Sequence, residues 1–217
     1  MAAAALFLLL AVLAGTGTTD AFDAAIIDVV RAPDLHELLA PLRWITELGS
    51  TGAVIVLAVV VLLVGWMAGL GRDGAAAALA IGVGSLAIEI LKRVLARTRP
   101  DLLEPVIVET GFSFPSGHAA NGMVAYGVLA VLVGRLPLPR PVRLAVQIGA
   151  GLVILLVGLS RVWLGVHYPT DVLAGWALGA VVVVLYAALT RRAPPGQASG
   201  AAASGRAGPR SDPPAAG

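Results

Sequence analysis

Six stretches of the chain are almost wholly apolar and approach the roughly 20 residues a helix needs to cross a bilayer: Ala2 to Gly17, Thr51 to Leu70, Ala75 to Val94, Gly117 to Gly134, Val142 to Leu159 and Thr170 to Thr190. Lipid offers no partner to an unpaired backbone group, so runs of this kind predict helices. The expected fold is all-α, a polytopic membrane bundle of about six transmembrane helices. The first run is the shortest and resembles a secretory signal, with small residues near Val12 and Ala14 before a potential cut. It lacks the usual basic flank, which favours an uncleaved span.

Between the first two runs, Phe22, Ile26, Ile27 and Val30, then Leu35, Leu38 and Leu39, recur at rough helical spacing. That pattern predicts one or two short amphipathic helices lying on the membrane surface. From Arg191 onward the chain is rich in Ala, Gly, Pro and Ser without apolar periodicity, which predicts disorder. The predicted organisation is therefore a first span over 1–17, an extracytoplasmic connection over 18–50, a core of five spans over 51–190 and a cytoplasmic tail over 191–217. No internal repeat is evident.

Composition agrees with the pattern. With 58% apolar residues, 13% charged residues and a mean hydropathy of +0.90, the chain is not a water-soluble domain. It has no Cys, which excludes disulfides and thiolate metal sites.

The net charge of +2 conceals a strong asymmetry. The 18–50 connection carries Asp20, Asp23, Asp28, Asp34, Glu37 and Glu47 against Arg31 and Arg43, whereas Arg135, Arg140 and Arg143 form a connection without acids. The tail adds Arg191, Arg192, Arg206 and Arg210 against Asp212. The positive-inside rule puts the Arg135 connection and the tail in the cytoplasm. Lys92, Arg93, Arg97 and Arg99 then fall outside, against the rule, which suggests that a function requires them there. By parity of crossings, the polar residues from Lys92 to His118 and those from Ser160 to Asp171 meet on that same outer face.

The chemistry of these residues points to an anion. Ser116 precedes the fourth apolar run as an expected helix N-cap, and the N–H groups of Gly117 and His118 are then free to face a phosphate. Lys92, Arg99 and Arg161 supply cations for oxygens whose charge spreads in a loose phosphoryl transition state. His167 and Asp171 are four residues apart, with Pro169 suited to the first turn of the last helix. That spacing lets Asp171 accept the Nδ1 proton of His167 and leaves Nε2 free as a nucleophile.

Lys92 with Arg99-Pro100, Pro115-Ser116-Gly117-His118, and Ser160-Arg161 with His167 and Asp171 together resemble the three-part signature of the type 2 phosphatidic acid phosphatase family, which includes lipid phosphate phosphatases and vanadium haloperoxidases. The resemblance runs from about Leu48 to Leu189, with no departure at a signature position. It implies that His167 forms a phosphohistidine. It also implies that His118 protonates the departing oxygen and then activates water, with no metal or other cofactor, the cations doing that electrostatic work. The implied function is hydrolysis of a lipid phosphate or diphosphate, such as phosphatidic acid or a polyprenyl diphosphate, from the outer leaflet. The competing functions are a lipid phosphotransferase, a vanadate-dependent haloperoxidase, whose known members are larger and soluble, and a non-catalytic lipid binder or transporter. The expected partners are the lipid substrate and membrane lipids, not nucleic acid; oligomeric state is left open.

Other polar residues carry plainer expectations. Arg93 and Arg97 read as a solvated helix end meeting headgroups, and Glu89 as a structural partner of Lys92 or Arg93. Asn121 either lines the site or bonds to a neighbouring helix. His36 reads as an exposed loop residue, and Trp44, Trp66 and Trp163 as interface anchors.

Overall fold

A computed structural model describes residues 1–30, 39–100, 107 and 109–191. His36, the Leu35 and Leu38 positions and the tail beyond Arg191 lie outside the described residues. Eight helices account for the regular structure among the described residues: α1 (Ala2–Gly15), α2 (Asp20–Val30), α3 (Leu39–Glu47), α4 (Thr51–Met67), α5 (Gly71–Leu95), α6 (Gly117–Val133), α7 (Arg140–Trp163) and α8 (Pro169–Leu189).

Each of the six apolar runs becomes one helix: α1 and α4 to α8. Of these, α5, α7 and α8 are individually long and apolar enough to span a membrane, and the pairs α1 with α2 and α3 with α4 qualify as bent units. The remaining apolar helix, α6, has 17 residues. It lies at the centre of the bundle, and none of its residues is exposed. It packs against α8, α7, α5 and α4.

The core joins Val54 and Val61 of α4, Ile81 of α5, Val124, Val128 and Leu132 of α6, and Tyr186 of α8. The outward surface is also apolar: Ile55, Val59 and Leu63 on α4, Ile148 and Leu152 on α7, and Val184 and Leu185 on α8 are exposed. Large apolar patches facing outward are what a lipid-embedded bundle presents and what a soluble one avoids.

The α6–α8 contact is close because glycine permits it. A Cβ at Gly175 would lie 2.7 Å from the Ser116 carbonyl oxygen and 3.1 Å from the Ala120 nitrogen, so the backbones of the two helix starts nearly touch. At the opposite end Arg135 donates to Asp73 at 3.1 Å, and its guanidinium lies 5.5 Å from the Tyr186 ring centre.

Before this bundle, α2 turns by 92° from α1, and α3 meets α4 at 44°. Ile27 and Val30 of α2 pack with Ala119, Val162 and Val172, so α2 covers the end of the bundle where α7 stops and α8 begins.

Candidate active site

The C-terminal ends of α5 and α7 and the N-terminal ends of α6 and α8 converge at one end of the bundle, and every residue of the three-part signature is there. Lys92 lies in the last turn of α5. A Cβ at Gly117 would be 3.4 Å from the Lys92 Nζ, so the ammonium sits directly over the start of α6. Ser116 takes the N-cap position, with extended backbone, as expected. Its hydroxyl makes no capping bond, which corrects the side-chain role expected for it: the Oγ is buried without a partner. What the start of α6 offers is backbone N–H groups without intrahelical acceptors.

Arg161 ends α7 and is fully buried. Gly165 follows with φ +72°, a left-handed turn that folds the chain back, and the Val166 and His167 N–H groups both donate to the Arg161 carbonyl. His167 is thereby fixed beside Arg161. One turn later Asp171 accepts the Tyr168 N–H at 2.9 Å, capping α8.

The His167 Nδ1 lies 3.5 Å from Asp171 Oδ2, with the Ser113 hydroxyl beside both: Ser113 Oγ is 3.4 Å from Nδ1 and donates to Oδ2 in a very short hydrogen bond. On the other side of the ring, Nε2 faces Arg99 NH1 at 3.2 Å. A carboxylate at Nδ1 and a guanidinium at Nε2 assign the proton to Nδ1 and the lone pair to Nε2. Burial lowers the His167 pKa; Asp171 opposes this, and Arg161 and Arg99 reinforce it, leaving a value of about 4. The imidazole is neutral at physiological pH.

The two arginines share a partner that the sequence reading did not single out. Glu109 accepts from Arg99 NH2 at 3.2 Å and, more closely, from Arg161 NH2. Arg161 also donates to Thr46 of α3 at 2.7 Å. Arg99 is further held by the Val166 carbonyl at 2.7 Å. A cavity of about 430 Å³ opens here, lined by Lys92, Arg99, Glu109, Gly117, His118 and Asn121 among others. Asn121 fulfils both of its alternatives, since it lines this cavity and accepts from Ser85 at 2.9 Å. Glu89 opens onto the same cavity together with Lys92 and Arg93; its charge acts on Lys92, although among the described residues no ion pair within 4 Å joins it to either. Trp44 and Trp66 are exposed, whereas Trp163 is half-buried against α2 and α8.

Arg97 requires a larger correction. It is not a solvated helix end, because its guanidinium is bonded to Asp171, Asp23 and Asp20. The available signal was charge complementarity: an acid-rich connection and an anomalous basic run were both expected on one face. Ser113 and Thr46 carried no sequence signal.

Comparison with known proteins agrees with this geometry. A family model described as the PAP2 superfamily matches residues 73–194. The chain is 37% identical over 183 residues to phosphatidylglycerophosphatase B of Bacillus subtilis (strain 168), a match that covers 82% of this chain and 88% of the relative. It is 41% identical to decaprenylphosphoryl-5-phosphoribose phosphatase of Mycobacterium tuberculosis over 43% of this chain and 48% of that one. A crystal structure of a transmembrane PAP2 type phosphatidylglycerolphosphate phosphatase from Bacillus subtilis superposes with a TM-score of 0.78 at 34% identity, covering 88% of this chain and 98% of the other.

Proposed function

Since the chain belongs to the PAP2 superfamily, we propose that it is a multi-pass membrane phosphatase that hydrolyses a lipid phosphate or diphosphate through a phosphohistidine on His167. The observation that carries this reading is the convergence of Lys92, Arg99, Arg161, His118 and the His167–Asp171 pair around one end of the bundle, beside the start of α6. The relatives' names, phosphatidylglycerophosphatase B and undecaprenyl-diphosphatase among them, support a lipid carrying a phosphate or diphosphate.

In the first step the Nε2 lone pair attacks phosphorus, forming an N–P bond as the P–O bond to the lipid breaks. His118, protonated once the substrate's phosphate charge lies beside it, gives its proton to the departing oxygen. In the second step water attacks phosphorus, His118 takes the water proton, the N–P bond breaks and inorganic phosphate leaves. Lys92, Arg99, Arg161 and the α6 N–H groups hold the three non-bridging oxygens throughout, which is where most of the rate acceleration is expected to arise. Asp171 holds the Nδ1 proton and stabilises the ring as Nε2 takes up phosphorus. The protein's own cations do the electrostatic work, so the reading calls on no metal. It also puts the site on the extracytoplasmic face, supported by the arginine-rich 135–143 connection at the opposite end.

The test is phosphate release by the purified protein from phosphatidylglycerol phosphate, phosphatidic acid, undecaprenyl diphosphate and a soluble nitrophenyl ester, with and without chelator. Turnover of at least one lipid, undiminished by chelator and blocked by vanadate, is expected. Loss on chelation with recovery on adding a divalent ion would overturn the metal-free mechanism. His167→Ala should abolish turnover of every substrate. His118→Ala should still release a burst of nitrophenol and should accumulate an acid-labile phosphoryl label, because the first step needs little acid for so good a leaving group while the second lacks its base.

A further inference from the structure

A chain of charges reaches Asp171 from behind, on the side away from the cavity. Arg97 NH1 donates to Asp171 Oδ1 at 2.8 Å, and its NH2 donates to Asp23 Oδ2 of α2 at 2.8 Å and to the more exposed Asp20 at 3.1 Å. The face of the guanidinium lies 4.3 Å from the Tyr168 ring centre. Asp23 is wholly buried, and it accepts the Thr170 backbone N–H at 3.0 Å and the Thr170 hydroxyl at 2.6 Å. The Thr170 hydroxyl in turn accepts from Arg97 NH1 at 2.9 Å. Thus α2, which lies outside the 73–194 segment matched by the family model, caps the first turn of α8 and grips the residue next to Asp171.

We propose that Arg97, held in place by Asp23 of α2, is a positioning residue that acts on the His167 nucleophile through Asp171. The inference rests on the reading of His167 as nucleophile. A carboxylate can rotate about its Cβ–Cγ bond and present either oxygen to a neighbour. With Oδ1 committed to Arg97, and Oδ2 receiving the Tyr168 N–H and the Ser113 hydroxyl, only Oδ2 faces Nδ1 and the ring has one orientation. The arginine also offsets the charge of that carboxylate. An uncompensated Asp171 would stabilise the imidazolium, which has no lone pair at Nε2 with which to attack.

The charged and titratable groups facing this pair come from several elements: Asp20 and Asp23 from α2, Arg97, Arg99 and Glu109 from the loop after α5, His118 from α6, Arg161 from α7, and Tyr168 just before α8. Burial opposes the Arg97 charge, but Asp23 and Asp171 outweigh it and hold its pKa above the ordinary value. Arg97 therefore stays charged across the working range, and a change in acid sensitivity on its removal reports on His167.

The test uses the purified full chain and nitrophenyl phosphate, with kcat and KM followed across the acid and neutral range for the unmodified protein, Arg97→Gln, Arg97→Lys and Asp23→Asn. The substrate's own ionisation is common to all four and cancels in the comparison. Arg97→Gln should lower kcat about 10- to 100-fold with KM within about 3-fold, and should move the acid limb of kcat/KM upward by about one unit. Arg97→Lys should return the limb and only part of kcat, because lysine restores charge without the two-pronged geometry. Asp23→Asn should shift the limb by less and downward, because losing that carboxylate leaves more of the Arg97 charge to offset Asp171. A merely structural role would reduce the active fraction and leave the limb in place, and that result in Arg97→Gln overturns the inference. If Arg97→Gln fails to accumulate as folded protein, Asp23→Asn decides, and an unmoved limb there has the same consequence. Turnover surviving in His167→Ala would instead overturn the nucleophile assignment on which the inference stands.

Discussion

Glu109 engages both of the arginines that the proposed mechanism assigns to phosphate. Its two carboxylate oxygens engage Arg161 and Arg99, presenting a fork of negative charge to the same guanidinium groups that would bind a phosphoryl group. Burial alone would raise its pKa, but Arg161 and Arg99 hold it down to about 2, so acidification within any working range does not release it. On that mechanism substrate competes with a tethered carboxylate. Glu109→Gln keeps the shape and removes the charge, so inhibition by vanadate should tighten about tenfold, equivalent to about 1.4 kcal/mol of competition removed. An unchanged inhibition constant would mean that the carboxylate does not compete. None of this was legible from the chain. Lys92, Arg99, His118, Arg161, His167 and Asp171 were singled out by resemblance to the family's three-part signature, whose residues lie close together in sequence within each part. The pairs Glu109 with Arg161, Ser113 with Asp171 and Asp23 with Arg97 are 52, 58 and 74 residues apart and follow no period, since only tertiary packing brings them together.

At the scale of helices, the site depends on how closely α8 approaches α6. The apolar runs showed that these helices exist, because length and hydropathy are properties of the chain. They did not show which pairs touch, because lipid-facing and protein-facing apolar positions look alike in sequence. The turning of α2 away from α1 was likewise invisible, whereas its amphipathic spacing was not. The Gly175 contact gives the pairing a measurable consequence. Gly175→Ala would force a Cβ to within 2.7 Å of the Ser116 carbonyl, and backbone cannot give way as a side chain can, so α8 must move and carry Asp171 with it. The expected outcome is a destabilisation of about 1–3 kcal/mol, read as a lower melting temperature in detergent, with most of the activity lost. Gly151→Ala is the matched control, since a Cβ there meets nothing within 4 Å, and it should be neutral or slightly stabilising. Equal effects at the two positions would show that helix propensity rather than contact dominates.

For the molecule as a whole, charge supplies the proposed orientation, and the candidate site accounts for most of the basic run that departs from it. The connection holding Arg135, Arg140 and Arg143 lies at the end where α6 stops and α7 starts, opposite the candidate site. The positive-inside rule is the ground for proposing that this end faces the cytoplasm. Three of the four cations of the basic run at the other end are tied up within the fold: Arg97 pairs with Asp20, Asp23 and Asp171, Arg99 pairs with Glu109, and Lys92 covers the start of α6, while Arg93 is exposed. On the proposed reading, cations bound in this way serve the site, which leaves the arginines of the opposite end to set the orientation. The absence of native Cys makes the consequence directly testable by single-cysteine labelling. Phe112 and Pro139 are both exposed and lie at opposite ends of α6. Phe112→Cys should react with an impermeant maleimide in intact cells, whereas Pro139→Cys should react only after the membrane is breached. The reverse pattern would turn the site toward the cytoplasm and confine its substrates to the inner leaflet.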